Sequence, residues 1–416
     1  MFLLILVNAV FGLSIGLYDF LLPLFLDHSG ISYGNIGIIF SFSAIFLFFV
    51  RTYSGHVSDL IGRKHIFSLS LFLCGLASLL TPFLPNVFSQ VLLRSLREVG
   101  KSIKDILQQL LVFDQWKDSF RHLFSWLSGF DSTFQGIGTL LGGFLLLRLG
   151  YKYSFVVPAV ILISVFILFL FKFKEKRPQV VNQDVLQERE PATSDSFYWS
   201  SPFRHRLSKP LFLMALSGFI LWVGVSMSHA FIAPLFFLHK FSISIAWISV
   251  IVAFHSLSLG LPMIMAGKVV KWNLKMTAII FILVNGILTS LTIIPSYFIG
   301  AAVIWLLHDF FGASLWIPAR NTLIQHYARS DSRGLDVGMV LSLQGLGWIF
   351  GPLIAGVISK YSINYPFLWS GIVTGLSVIP MFWLEHPAEE SKKLPRGMRS
   401  IPGTLVLGIL RIPEGK

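Results

Sequence analysis

Apolar runs long enough to cross a bilayer recur along the whole of this chain, and that recurrence constrains its fold more than any other feature. A helical span needs about 20 mostly apolar residues. About twelve such runs can be placed, at roughly 2–26, 33–54, 65–84, 87–113, 128–150, 153–172, 210–238, 243–266, 275–295, 297–323, 336–359 and 365–385. Pro82, Pro85, Pro295 and Pro366 fall at run ends, where a lost backbone donor does no harm. Charged residues make up 13% of the 416 positions, about half the share of a soluble domain. The expected class is an all-α, multi-pass membrane protein.

Two polar stretches interrupt the pattern. Lys174 to Lys209 is rich in Lys, Arg, Glu, Gln, Ser and Pro and reads as a linker. The expected organisation is a six-helix half over 1–173, a linker over 174–209, a second half over 210–385 and a tail over 386–416. The apolar run Leu405–Leu410 in that tail is too short to span. The first run starts at Phe2 with no basic flank and is too long for a signal-peptide core, so it is expected to be the first span.

The net charge of +13 must be read by side. With the N-terminus, linker and C-terminus placed together, 24 of the 33 Lys and Arg lie on that side. Four lie opposite (Arg148, Lys152, Lys240, Lys360) and five lie within helices (Arg94, Arg97, Lys101, Lys104, Arg320). The excess of basic residues in cytoplasmic loops puts both termini and the linker in the cytoplasm. These charges form no nucleic-acid recognition motif, and no nucleic-acid partner is expected. Cys74 is the single cysteine, so an internal disulfide and a CxxC metal site are both ruled out.

The halves repeat at an offset of 209–212 residues. "YDFLLPLF" (Tyr18–Phe25) matches "HAFIAPLF" (His229–Phe236), and "GHVSDLIGRK" (Gly55–Lys64) matches "GKVVKWNLK" (Gly267–Lys275). Gly100 falls on Gly312, Gln108 on Arg320 and Arg97 on Asp309. Gly129, Gly136, Gly138 and Gly142 fall on Gly338, Gly345, Gly347 and Gly351. Six helices per half is an even number, so both halves share one orientation, as in a parallel-repeat transporter.

The loop "GHVSDLIGRK" resembles the motif G-x-x-x-D-[RK]-x-G-R-[RK] between helices two and three of the major facilitator superfamily. Gly55, Asp59, Gly62, Arg63 and Lys64 match, and Leu60 departs. The resemblance covers nearly the whole chain. It implies a fold of twelve helices in two pseudo-symmetric halves, with helices one, four, seven and ten lining a central cavity. It also implies that this loop gates the cytoplasmic side, a role that suits an Asp near a helix N-terminus. A second family motif, G-x8-G-P-x-x-G-G, is associated with exporters that run as antiporters. Gly129, Gly138, Gly142 and Gly143 match it, and Thr139 stands in place of the proline. The repeat keeps Gly338, Gly347 and Gly351. Glycines so spaced let helices approach closely.

The fourth run carries Arg94, Arg97, Glu98, Lys101, Lys104 and Asp105. At 100° per residue they share an arc of roughly 140° with Gln108 and Gln109. Several central charges facing lipid would be prohibitive, so the stripe is expected to face a water-filled cavity. Arg94–Glu98 and Lys101–Asp105 are spaced to pair along the helix. Arg97 and Lys104 are then left for Asp19 or Asp309. Each charge can be a structural ion pair, a solute contact or a proton site. The expected cavity set is Arg94, Arg97, Glu98, Lys101, Asp105, His229 and Asp309, with Asp19 and Asp309 as proton carriers and His255 a further candidate. The four basic residues of the stripe against two acidic ones point to an anionic or zwitterionic solute.

Other signals carry less. "GLSIG" (Gly12–Gly16) fits a nucleophile elbow, but it lies inside a span and reads as a packing face. No Walker A or HExxH sequence occurs, and no enzyme activity, cofactor or metal is expected. The expected function is secondary transport of a small solute by alternating access, proton-coupled, as an exporter or antiporter, by a monomer in the cytoplasmic membrane. The alternatives are an uptake symporter of an anionic metabolite and a non-transporting sensor on the same fold.

Overall fold

The computed structural model describes residues 2–115, 120–173, 206–269, 273–329 and 333–385. These residues are helical almost throughout, with no strand among them. They group into twelve spans. The first four are Phe2–His28, Tyr33–Ile61, Arg63–Leu80 and Val87–Gln115. The fifth and sixth share one trace, Phe120–Lys172, broken at Gly150. Gly150 has φ 70°, a left-handed conformation that a side chain would strain. The seventh is Lys209–His229 followed by Ile232–Phe241. The eighth and ninth are Ile245–Val269 and Leu274–Leu291.

The tenth span runs Phe298–His308, passes through a π turn at Asp309–Ala313, and resumes at Ser314–Tyr327. The eleventh is Arg333–Gly345 and Gly347–Ile358, and the twelfth is Tyr365–Leu376. Val87–Gln115 is absent from the eight helices that are apolar enough to cross a membrane by composition alone. Its charges are turned inward: Arg97 and Lys104 are buried, and Arg94, Glu98, Lys101 and Asp105 line an internal cavity.

Residues 174–205 of the expected linker and the tail 386–416 lie outside the described residues. So do the surroundings of Gly55, Asp59 and Gly129, and Lys271 altogether. Gly62 joins the second and third spans at φ 103°, which explains a glycine there. Arg63 and Lys64 open the third span.

Three apolar clusters hold the bundle. One mixes both halves: Leu17–Leu26 and Ile36–Phe40 pack with Phe231–Phe237, Trp305, Ala355 and Phe367. The other two do not mix. Leu4, Phe11, Phe67, Leu111 and Phe169 belong to one half, and Leu211, Ile282, Trp316 and Leu323 to the other. The halves are therefore joined where the first span ends. Where it begins, each half has its own core. At the joined end the Asp27 carboxylate meets Nε2 of His239 at 2.8 Å, and Phe40 packs on Phe231. Gly37 and Gly356 bring the second and eleventh spans into backbone contact.

The glycines divide. A Cβ on Gly12 or Gly16 would strike the backbone carbonyl of Asp131 or Gln135, so "GLSIG" is a packing face. Gly138 and Gly142 pack on the first span, Gly143 on Ser249 of the eighth, and Gly347 and Gly351 on the seventh. Gly338 corrects an expectation. It has open space around it and does not mediate packing, and Gly345 in the same span is likewise open.

Candidate functional site

A cavity of about 640 Å³ lies between the halves. From one half it receives Asp19, Phe40, Arg94, Glu98, Lys101 and Asp105, and from the other Trp222, His229, His255, Trp305, Gln344 and Trp348. Charge faces aromatic ring across one space.

The stripe on the fourth span does face this cavity, but the pairing differs from expectation. Arg94 pairs with Glu98 at 3.2 Å, as the i, i+4 spacing requires. It also lies 4.0 Å from Asp19, and its guanidinium sits 3.7 Å from the ring centre of Phe40. Lys101 does not choose Asp105. It reaches the first span, where its ammonium is 3.9 Å from Asp19. Asp105 is met instead by Lys104 at 3.5 Å.

Two basic residues leave the cavity. Arg97, expected among the cavity residues, is 1% exposed and lies at the helix interface. Its guanidinium donates to Ser78 Oγ at 2.7 Å and to the Ser14 carbonyl at 3.0 Å, and stacks 3.8 Å from the Tyr18 ring centre. At the edge of the polar arc, it is taken up by the first and third spans. Lys104 is equally buried and donates to Asp131 at 3.1 Å. Neither Arg97 nor Lys104 meets Asp19 or Asp309. With both withdrawn, Arg94 and Lys101 face Asp19, Glu98 and Asp105. The positive balance that pointed to an anion is thus reversed at the cavity wall.

Asp131 was missed by sequence reasoning. The same rule that singled out Asp19, an ionisable residue inside an apolar run, would have found it. His308 was missed as well. The π turn at Asp309–Ala313 widens the tenth span where His308 and Asp309 sit side by side, and π turns of this kind recur at functional sites. Asn285 donates to the His308 carbonyl at 3.0 Å, satisfying an acceptor near the irregular turn.

Asp309 meets neither Arg97 nor Lys104. Its Oδ2 lies 2.7 Å from His255 Nε2 and its Oδ1 3.2 Å from His308 Nε2. His308 Nε2 in turn lies 3.0 Å from His229 Nε2. Three histidines and one carboxylate from the seventh, eighth and tenth spans therefore converge. His255 is stacked on Trp305, with ring centres 4.2 Å apart. The repeat sets this cluster opposite Tyr18 and Arg97, since His229 corresponds to Tyr18 and Asp309 to Arg97.

These features define a class: an integral membrane protein of helical spans, with two halves meeting around a central polar cavity. The comparisons agree and narrow it. The family model of the Major Facilitator Superfamily matches residues 4–334 and 215–413, and the chain belongs to that family. Among curated relatives, "Multidrug resistance protein MdtG" of Klebsiella pneumoniae (strain 342) is 25% identical over 395 residues, covering 90% of this chain and 91% of the relative. "Multidrug resistance protein 2" of Bacillus subtilis (strain 168) is 24% identical over 387 residues, covering 90% and 92%. Among solved structures, the nucleoside transporter NupG superposes with a TM-score of 0.71 at 13% identity, covering 92% of this chain and 100% of that one. The last likeness concerns the fold alone.

Proposed function

We propose that the protein is a proton-coupled secondary transporter that exports small amphiphilic solutes by alternating access. The observation that carries this reading is the cavity between the halves, which is sealed by shared core at one end and flanked by separate cores at the other. Its volume of about 640 Å³ suits a drug-sized molecule. The sealed end is the non-cytoplasmic one when both termini lie in the cytoplasm, so the form described faces inward. The curated relatives, which carry the names of multidrug resistance proteins, support the direction.

The lining favours a cationic or zwitterionic solute with an apolar body. Trp222, Trp305, Trp348 and Phe40 offer ring faces, and the carboxylates outnumber the basic groups. Arg94 Nε and Nη1 are buried beside the cavity without a hydrogen-bond partner, leaving donors for a polar group on the solute. Asp19 is the proposed proton carrier. A proton placed there removes the charge that holds both Arg94 and Lys101 and frees the first span from the fourth.

The test is flux in proteoliposomes with ethidium as the probe. A pH gradient should drive ethidium against its concentration gradient, and collapse of the pH gradient should stop it. Equal flux without a pH gradient would leave a facilitator and overturn the coupling. Binding without flux would overturn transport in favour of a sensor. Gradient-driven uptake of anions alone would favour the symporter.

A further inference from the structure

We infer that His229, His255, His308 and Asp309 form a binding site for one divalent transition-metal ion of the Zn²⁺, Co²⁺ and Ni²⁺ class, reached from the central cavity. This goes beyond the transport reading and does not rest on it. The four side chains offer ligand atoms that all lie within 4.8 Å of one another.

Proximity alone would be weak support, and the hydrogen bonding decides the matter. His229 Nδ1 lies 2.9 Å from the Val225 carbonyl, and His308 Nδ1 contacts the Trp305 carbonyl. A carbonyl can only accept, so His308 Nδ1 carries the proton, whereas His229 Nδ1 also lies 2.8 Å from the Ser228 hydroxyl, which can donate to it or accept from it. In the neutral ring His308 Nε2 is then a bare acceptor, and it faces His229 Nε2 at 3.0 Å. Asp309 Oδ1, another acceptor, lies 3.2 Å from the same His308 Nε2. His255 Nε2 and Asp309 Oδ2 approach to 2.7 Å, yet both are buried atoms that make no aligned hydrogen bond. The lone pairs of His308 Nε2 and Asp309 Oδ1, turned toward one another in a buried space, call for a cation between them, and His229 and His255 stand beside them to complete its ligands.

The arrangement is that of metal-binding histidines. Such residues typically give their other ring N–H to a carbonyl or carboxylate, which fixes tautomer and orientation. Two ligands at about 2.1 Å on a tetrahedral ion stand roughly 3.4 Å apart, so the contacts at 2.7–3.2 Å open by up to about 0.7 Å and the wider pairs, up to 4.8 Å apart, draw in. Three imidazoles and one carboxylate suit a borderline transition metal. They do not suit Mg²⁺ or Ca²⁺, which take oxygen ligands. His229 and His255 line the cavity and give the ion its way in, while Asp309 and His308 are buried behind them. The ion would tie the seventh, eighth and tenth spans together at the cavity wall.

A proton held between imidazoles is the rival occupant, and a metal titration separates the two. The full chain, carrying a tag free of histidine and stripped with a chelator, is titrated in detergent with Co²⁺ near neutral pH. The expected result is the intense visible absorption of low-coordinate Co²⁺, saturating at one ion per chain, displaced by Zn²⁺ and untouched by Mg²⁺. His255→Ala and Asp309→Asn should each weaken binding by about tenfold or more, and His326→Ala, outside the cluster, should not. Should His308→Ala fail to fold, His229→Ala and His255→Ala at the cavity wall decide, checked by gel filtration. No saturable spectrum, or one that survives both wall substitutions, overturns the site. Failure of this titration leaves the ethidium assay unaffected, and the reverse also holds.

Discussion

The ammonium of Lys101 lies 3.9 Å from the carboxylate of Asp19, joining the fourth span to the first. Asp105, one turn along the same helix as Lys101, pairs with Lys104 instead. Asp19→Asn removes the anion that holds both Lys101 and Arg94. Gradient-driven ethidium flux should fall by about tenfold or more while equilibrium binding weakens far less, the mark of an interaction used in turnover. Flux and binding measured on the same preparation check it. A parallel loss of binding would make Asp19 a solute ligand.

Lys104 and Asp131 bury opposite charges 3.1 Å apart, with Lys104 only 1% exposed. Asp131→Ala leaves that ammonium with Asp105 alone and should destabilise the protein by about 3–5 kcal/mol. The double change Lys104→Met with Asp131→Leu should recover most of the loss, because an apolar pair of similar volume needs no desolvation. Thermal unfolding in detergent reads both.

Arg97 lies at the junction of the first, third and fourth spans rather than in the solute path. Arg97→Gln should cost about 1–3 kcal/mol of stability by leaving buried acceptors unpaired. Ethidium affinity of the folded fraction should not change. A selective loss of affinity would return Arg97 to the cavity.

Gly138 and Gly338 belong to the same repeated glycine pattern but have unlike surroundings. A Cβ on Gly138 strikes the Leu13 carbonyl, whereas one on Gly338 meets nothing. Gly138→Ala should destabilise by about 1–3 kcal/mol through overpacking. Gly338→Ala should be neutral or slightly stabilising. Comparison of the two thermal midpoints is the check.

The pair Asp27 and His239 stitches the sealed end across the two halves. Cys74 is the sole native cysteine and is buried, so new thiols can be labelled selectively. Bridging Asp27→Cys to His239→Cys with a short bifunctional maleimide should stop transport, and each single variant labelled alone should not. Continued flux in the bridged protein would show that this end need not open.

The architecture was legible without any tertiary contact. Span length, the skew of basic residues and the repeat near 211 residues depend only on covalent spacing and on the cost of polar groups in lipid, and they define twelve spans in two like halves. The sequence also implied that the stripe on the fourth span avoids lipid, because helical periodicity is local. The Arg94–Glu98 pair was legible for the same reason.

Which charge meets which depended on how the spans pack. Lys101 could reach Asp105 within its own helix, and the closeness of the first span drew it to Asp19 instead. Arg97 and Lys104 lie on the stripe yet turn into helix interfaces, because the third and fifth spans supply Ser78 and Asp131 there. The histidine cluster was the least legible feature. Its members lie far apart in sequence on three spans, so no short motif joins His229, His255 and His308. Packing of the seventh, eighth and tenth spans, and the π turn at Asp309, bring those ligand atoms within 4.8 Å of one another.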